Sequence, residues 1–313
     1  MPIRTLFMGT PDFALPTLRA LHAAPEIDLI AVITRPDQPA GRGKKLQAPP
    51  VKILAESMET EIFQPASLKK EEVTTWLRDR KPDVIVVVAY GGFVPTPVRE
   101  IPPLGCVNLH PSLLPTYRGA APMQWAIMNG DAVTGNSTMY LSDGWDDGDI
   151  IYQEEEPILP DEPYGSLSQR LSQKGGALIV RTLIDIAAGR APRIPQDESG
   201  VVFAPMIKNE DCQIDWKRPA FAIHNQVRGL HPSPGAFTNF EGKRWKILRT
   251  KVMEGVSDLP GRVLSTEFNT IQVSTGDNIL EILEMQPEGK KPMSAASFLR
   301  GYPICAGASF DSL

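Results

Sequence analysis

The chain has 313 residues, of which 42% are apolar and 22% are charged. This composition argues against wholesale disorder and fibrous repeats, and the length suffices for about two domains with a buried core. The longest apolar runs stop far short of the ~20 residues that a membrane helix needs, so neither a membrane span nor a signal peptide is predicted. The three cysteines have no metal-like spacing, which indicates a reducing compartment and no structural zinc. A cytoplasmic protein is therefore expected.

The net charge of −5 counts against a nucleic-acid partner, because Lys and Arg drive the binding of phosphates. The charge is unevenly distributed, with 20 basic and 25 acidic residues before Asn209 but 12 of each from Asn209 onward. The last third of the chain is therefore neutral. Two basic stretches remain, at residues 35–52 and 243–251.

Strand-like and helix-like segments alternate through residues 1–188. Strands are predicted at residues 3–8, 29–33, 84–89, 106–109, 138–141 and 150–153, and helices at 14–24, 53–58, 71–78, 123–129 and 167–188. This alternation predicts an α/β domain with a Rossmann-like, mostly parallel sheet.

The pattern changes after Gly189. Residues 189–208 contain several prolines and little periodicity, which predicts a linker. Residues 209–313 then contain one short helix at 221–228 and β runs at 236–240, 245–250, 261–265, 270–274 and 278–285. A smaller C-terminal β barrel of the OB type is predicted.

Asn108 and His110 end one of the predicted strands. The two-residue period of a strand places both on one face, and ligands usually bind at the carboxyl ends of parallel strands. An Asn-x-His sequence alone is more often a structural histidine near the core. The proline-rich segment 111–122 that follows is either a rigid connector or a stiff loop that holds a planar ligand.

Residues 143–149 contain four carboxylates in seven residues. A calcium loop is disfavoured, because Trp145 occupies a ligand position and no helices are predicted on either side. No metal site is predicted. The segment is either a solvated acidic turn or a loop from which one acid reaches His110, fixes its tautomer and stabilises its charged form.

The two basic stretches have open interpretations. The long segment 35–50 fits neither a P-loop nor a dinucleotide fingerprint, and a loop of this length is either functional or disordered. The segment 243–251 holds five basic residues and no acid, and it is either a charged edge strand or a phosphate-binding surface. Together the two stretches suggest a polyanionic substrate.

Several motifs resemble those of the methionyl-tRNA formyltransferase family along essentially the whole chain. They lie at residues 8–14, 35–45, 108–122, 146–149, 203–207, 234–237 and 290–294. Asn108, His110 and Asp146 are similar to residues shared by all folate-dependent formyltransferases. Two departures from the family pattern are Ser233, where a Trp is expected, and Asp147, where Thr is frequent.

The resemblance implies a formyltransferase fold and the transfer of formyl from 10-formyltetrahydrofolate to the α-amino group of methionine on initiator methionyl-tRNA. It implies the catalytic residues Asn108, His110 and Asp146, with no metal. The folate-binding residues that it implies are Ala89, Tyr90, Gly91, Ser112, Leu113, Leu114 and Pro115. The implied tRNA-binding residues are Arg42, Lys44, Lys45, Lys243, Arg244, Lys246 and Arg249. A monomer is expected.

Three other functions remain open. A formyltransferase acting on an amino-sugar nucleotide would share the three catalytic residues, although the basic segment at Arg42 speaks against it. A noncatalytic tRNA-binding protein would retain folate binding without turnover. A hydrolase would release formate without any amine acceptor.

Overall fold

The computed structural model describes residues 1–40, 45–302 and 304–311, which form two units. Unit 1 comprises Met1–Gly119, Val133–Pro157 and Ser168–Phe203, and unit 2 comprises Ala120–Ala132, Ile158–Leu167 and Ala204–Leu313. Each unit thus combines segments that are distant in sequence. The division into domains at residues 188 and 208 stays a prediction.

Unit 1 is built on a seven-stranded sheet. Its strands are β1 (Ile3–Gly9), β2 (Ile27–Ile33), β5 (Ile62–Phe63), β6 (Val84–Val88), β7 (Cys106–His110), β9 (Val133–Tyr140) and β10 (Ile150–Pro157), in the order β10-β9-β7-β6-β1-β2-β5. The pairs among β1, β2, β5, β6 and β7 are parallel, whereas β9 pairs antiparallel with β7 and β10. The predicted mostly parallel sheet is confirmed.

The remaining elements around this sheet are short strands and helices. The strands are β3 (Gln38–Ala40), β4 (Lys45–Gln47), β8 (Thr116–Gly119) and β11 (Val202–Ala204); β3 pairs with β4 and β8 pairs with β11. The helices are α1 (Leu15–Ala23), α2 (Pro50–Ser57), α3 (Glu71–Arg80), α4 (Thr96–Arg99), α5 (Pro122–Asn129) and α6 (Tyr164–Ala187). Of these, α5, residues 164–167 of α6 and Ala204 of β11 belong to unit 2. No described helix is long and apolar enough to cross a membrane.

Strand β6 explains how the core of unit 1 is arranged. All five of its residues are buried, as expected for a central strand covered on both faces. Val84, Val86 and Val88 pack into one hydrophobic cluster, and Ile85 and Val87 pack into another. Successive side chains therefore fill opposite layers of the domain.

The sheet has a point at which the chain direction diverges. From β1 the chain continues to β2 on one side, whereas β6 lies on the other side of β1. The segments that follow β1 and β6 therefore separate, which creates the crevice where ligands of such sheets bind. A hydrogen bond links the two segments: the Thr10 hydroxyl donates to the Tyr90 carbonyl at 2.8 Å.

Unit 2 contains an antiparallel sheet that curls into a half-barrel. Its strands are β12 (Ala236–Phe240), β13 (Lys243–Met253), β14 (Val263–Ser265), β15 (Ile271–Ser274), β16 (Ile279–Pro287) and β17 (Met293–Ser294), and its helices include α7 (Asn209–Cys212), α8 (Ala220–Gly229) and α9 (Ala295–Gly301). The order is β12-β13-β16-β15-β14, with β17 on β16. The core combines aliphatic side chains with buried aromatic ones, among them Trp216, Trp245 and Phe298. The predicted β-rich C-terminal domain is confirmed.

Candidate active site

Asn108 and His110 lie on β7, where parallel pairing with β6 meets antiparallel pairing with β9. Both residues are buried, with exposed fractions of 9% and 4%, and the strand period places them on the same face. The Asn108 side-chain amide makes no hydrogen bond to any of the described residues. A nearly buried amide without a protein partner is a strong candidate for binding a substrate atom.

The His110 ring is fixed by a backbone carbonyl. Its Nε2 lies 2.9 Å from the Tyr117 carbonyl oxygen, and because a carbonyl can only accept, Nε2 carries a proton. The other nitrogen, Nδ1, lies 3.6 Å from Asp146 Oδ2. One interpretation of the sequence was that an acid of the 143–149 segment fixes the tautomer, whereas in the structure the Tyr117 carbonyl fixes it. A proton on Nδ1 would face the Asp146 carboxylate.

We name the segment 142–149 the Asp146 loop. Its four acids have different partners. Asp143 pairs with Arg99 and accepts from Thr96, Asp147 accepts from Ser142, and Asp149 pairs with Arg193 at 3.3 Å. The hydrogen bonds from Thr96 and Arg99 hold the pKa of Asp143 below its ordinary value. Asp146 differs from the other three, because it faces His110 and accepts from the Gly119 N–H at 2.9 Å.

A tight backbone conformation supports the Asp146 loop. Asp146 has a φ of +52°, a conformation that non-glycine residues rarely adopt. A Cβ at Gly148 would lie 1.8 Å from the Tyr140 carbonyl oxygen, so only glycine fits there. Among the described residues, no group of three or more His, Cys, Asp or Glu could hold a metal.

Three of the residues predicted to bind folate, at positions 89–91, follow β6 at the edge of the crevice. Ala89 and Gly91 are exposed and have φ values of +47° and +77°. Tyr90 is buried between them, and burial raises the pKa of its hydroxyl while the neighbouring Arg35 opposes that shift. The exposed backbone of residues 89 and 91 is therefore what this segment offers to a ligand.

The predicted folate loop at residues 112–115 is held by internal hydrogen bonds. The Ser112 hydroxyl donates to Thr116 O at 2.6 Å, and the Ser137 hydroxyl donates to Ser112 O at 2.6 Å and accepts from Leu114 N at 3.1 Å. Ser112 and Leu114 are buried, whereas Leu113 and Pro115 are partly exposed. The predicted stiffness of this loop thus has a hydrogen-bonding cause in addition to its prolines.

Sequence reasoning missed an aromatic pair beside the Asp146 loop. Phe93 and Trp145 are 45% and 71% exposed, although large aromatic side chains are usually covered. Their ring centroids are 6.4 Å apart. The sequence held a clue to this pair, because Trp145 directly precedes Asp146 and Phe93 closely follows the predicted folate-binding residues 89–91.

The predicted tRNA-binding residues fall into two groups. In unit 1, Lys45 is exposed at the start of β4, while Arg42 and Lys44 lie outside the described residues. In unit 2, Lys243 is exposed, Arg244 lies over the Phe237 ring at 3.8 Å, and Lys246 Nζ donates to Pro234 O at 2.7 Å. Lys45 in unit 1, and Lys243 and Arg244 in unit 2, are thus exposed.

Cross-strand neighbours divide β13 into two electrostatically different ends. Arg249 and Lys251 stand opposite Glu284 and Glu281 of β16, whereas Lys246 stands opposite Gln286. We name the N-terminal part of the strand, residues 243–246, the basic end of β13. Together with the adjacent turns it contains five basic and two acidic residues, which are Lys243, Arg244, Lys246, Lys290 and Lys291 against Glu241 and Glu288. Positive charge is therefore concentrated at this end.

Comparison with known protein families agrees with this geometry. A model of formyl transferases matches residues 2–183, and a model of the formyl transferase C-terminal domain matches residues 206–303. The chain therefore belongs to the formyl transferase family.

Curated relatives narrow this class. A methionyl-tRNA formyltransferase from Trichlorobacter lovleyi is 46% identical over 304 residues, which cover 97% of this chain and 96% of that protein. Within the family, the chain groups with the methionyl-tRNA formyltransferases.

Solved structures share the fold at low identity. HypX from Aquifex aeolicus, determined in complex with tetrahydrofolic acid, matches with a TM-score of 0.64 at 18% identity, over 99% of this chain and 51% of HypX. This chain thus spans about half the length of HypX. The sugar 3N-formyl transferase WlaRD matches with a TM-score of 0.67 at 17% identity, over 93% of this chain and 100% of WlaRD. These structures support the fold assignment.

Proposed function

We propose that this protein transfers the formyl group of 10-formyltetrahydrofolate to the α-amino group of methionine on initiator methionyl-tRNA, which yields N-formylmethionyl-tRNA. The observation that carries the proposal is the unpartnered amide of Asn108 beside the facing pair of His110 and Asp146. The curated relatives, which are similar over nearly the whole chain, support the choice of acceptor.

The chemistry needs an oxyanion donor and a route for a proton. The amine nitrogen attacks the formyl carbon, a tetrahedral intermediate forms, and the bond from that carbon to N10 of the folate then breaks. The amine loses a proton, and N10 gains one. The Asn108 amide can donate to the oxygen that becomes negative in the intermediate, and such a preorganised donor stabilises the transition state.

His110 and Asp146 account for the proton. Because Nε2 donates to the Tyr117 carbonyl, Nδ1 of the neutral ring has a free lone pair and can accept the proton of the attacking amine. The resulting imidazolium would face Asp146 at 3.6 Å and be stabilised by its negative charge. In this scheme the substrate approaches the side of the ring that Asp146 faces.

The donor would bind in the crevice beyond β1 and β6. Residues 89–91 offer backbone groups to the pterin. The partly exposed residues Leu113 and Pro115 form a further part of the pocket wall. Ser112 and Leu114 act as structural supports of that wall, because both are buried. The aromatic pair Phe93 and Trp145 adds an apolar surface on which a planar ring of the folate can stack.

The acceptor would be held through its phosphates. We assign these contacts to Lys243, Arg244 and Lys246 at the basic end of β13, and a weaker contact to Arg249, which stands opposite Glu284. In unit 1 the proposal uses Arg42, Lys44 and Lys45. Contacts to phosphates position a nucleic acid without reading its sequence. We further propose that the protein is a cytoplasmic monomer with a catalytic domain, a linker and a tRNA-binding domain.

A transfer assay with parallel acceptors tests the proposal. Labelled formyl from 10-formyltetrahydrofolate is offered to initiator Met-tRNA, elongator Met-tRNA, free methionine and an amino-sugar nucleotide. We expect label on initiator Met-tRNA, and Asn108→Ala and His110→Ala should each remove most turnover while tRNA affinity stays near normal. Label only on the sugar, or release of formate alone, would refute the proposed acceptor. Full activity in either variant would refute the site.

A further inference from the structure

The first part of the predicted linker, residues 189–203, belongs to unit 1 and is hydrogen-bonded to it beside the Asp146 loop. Ile194 and Ile150 exchange two backbone hydrogen bonds, of 2.8 and 3.0 Å. Gln196 follows two residues later and is partly buried. This short pairing places the Gln196 side chain next to the Asp146 loop.

Both ends of the Gln196 amide are used. Its Nε2 donates to the carbonyl oxygens of Asp146 at 2.7 Å and Gly148 at 2.8 Å, and its Oε1 accepts from Arg118 Nε at 2.9 Å. Arg118 is buried, and a guanidinium can only donate. The oxygen of the amide must therefore face Arg118, which leaves the NH₂ group facing the Asp146 loop.

The Asp146 loop needs such an anchor. A non-glycine residue in the left-handed region persists only where its surroundings determine the conformation. The Asp146 carboxylate itself is held by the N–H of Gly119. Gln196 holds the backbone of Asp146 at the residue whose carboxylate must face His110.

We propose that Gln196 is a positioning residue, which holds the Asp146 carboxylate towards His110 by binding the carbonyls of Asp146 and Gly148. This inference rests on the proposed function, in which Asp146 stabilises the His110 imidazolium. A displacement of a catalytic group by about 1 Å can lower the rate by about 100-fold. The effect of losing Gln196 should therefore appear in kcat.

The test compares Gln196→Glu with Glu198→Gln. Gln196→Glu keeps the size of the side chain and an acceptor for Arg118. It replaces the NH₂ group that donates to the carbonyls of Asp146 and Gly148 with an oxygen that cannot donate. Glu198→Gln removes the charged partner of Arg118, whose Nη2 lies 2.9 Å from Glu198, and leaves the Asp146 loop untouched. We expect Gln196→Glu to lower kcat about 10- to 100-fold, with the KM values for both substrates within about twofold. Glu198→Gln should retain near-normal turnover.

A double-variant cycle shows whether Gln196 acts through Asp146. In single-turnover assays with excess enzyme, Gln196→Glu should cause no further loss in an Asp146→Ala background. Normal kcat in Gln196→Glu, equal losses in Gln196→Glu and Glu198→Gln, or additive losses in the double variant would each overturn the proposal. If Gln196→Glu does not fold, Gln196→Met is measured with the same criteria.

Hydrogen exchange separates this proposal from the proposed function. Peptides covering residues 142–149 should exchange faster in Gln196→Glu than in the wild-type protein or Glu198→Gln, whether or not any acceptor is formylated. Unchanged exchange would overturn the positioning role. Absence of formyl transfer by the wild-type protein, with faster exchange in the variant, would instead reject the proposed function and keep the anchor.

Discussion

The uneven charge of β13 predicts which of its cations contact tRNA. Two double variants remove the same formal charge from the same strand. Lys243→Gln with Lys246→Gln changes the basic end of β13, while Arg249→Gln with Lys251→Gln changes the part that faces Glu284 and Glu281. We expect only the first pair to weaken tRNA use strongly, because the second pair is already neutralised by the acids across the strand.

The size of the effect follows from counterion release. Each phosphate contact contributes about 0.9 to the slope of log affinity against log salt on a duplex, so losing two contacts lowers the slope by about 1.8. The deficit of the Lys243 and Lys246 variant should then be about tenfold larger at ~50 mM than at ~200 mM salt. The assay is kcat/KM for initiator Met-tRNA across this range, with KM for the folate as an internal control.

Two outcomes would contradict this reasoning. Equal slope changes for both pairs would show that the strand acts through its overall field, without localised contacts. Unchanged slopes in both pairs would remove β13 from the tRNA-binding surface. Thermal unfolding of each variant confirms that the comparison is made between folded proteins.

Three further predictions concern single residues. Gly148→Ala should lose most turnover, because its Cβ would lie 1.8 Å from the Tyr140 carbonyl oxygen, whereas Gly301→Ala, which meets nothing within 4 Å, should be active in the same transfer assay. Burial raises the pKa of the Cys106 thiol to about 12 from 9.0. The folded state keeps this proton while the unfolded chain loses it, so the free energy of unfolding should fall by about 1.4 kcal/mol from pH 8 to pH 10, and urea unfolding of Cys106→Ala should lack this component. Burial lowers the pKa of His224, with Arg228 adding to the shift and Asp161 opposing it. Its contribution to stability should therefore be present above the ordinary value of 6.5 and be lost as the pH falls below it, and urea unfolding of His224→Gln across that range should show a flatter dependence on pH.

Regular elements were predictable where burial imposed a period. The apolar run at residues 84–89 predicted a strand, and the structure has β6 there with all five of its residues buried. The alternation in β7 predicted that Asn108 and His110 share a face. Element ends were less predictable: β13 was expected at residues 245–250 and extends over Lys243–Met253. Its first two residues, Lys243 and Arg244, are charged and carry no apolar signal.

Short strands without alternation were missed. The strands β8 and β11 pair with each other, and the sequence of each contains too few residues for a period to appear. Within the segment 189–208, whose role as a linker stays a prediction, Ile194 pairs with Ile150. Such pairings depend on which backbone groups the rest of the fold leaves available, and hydrophobic patterns do not record this.

The sequence by itself determined the alternating fold class, the family motifs and the strand that carries Asn108 and His110. Only the tertiary structure decided how Asp143, Asp147 and Asp149 are paired, which backbone group fixes the His110 ring, and that Gln196 holds the Asp146 loop. The physical reason is the range of the interactions. Burial repeats along the chain with the period of a helix or strand, whereas hydrogen bonds between distant loops depend on packing that brings those loops together.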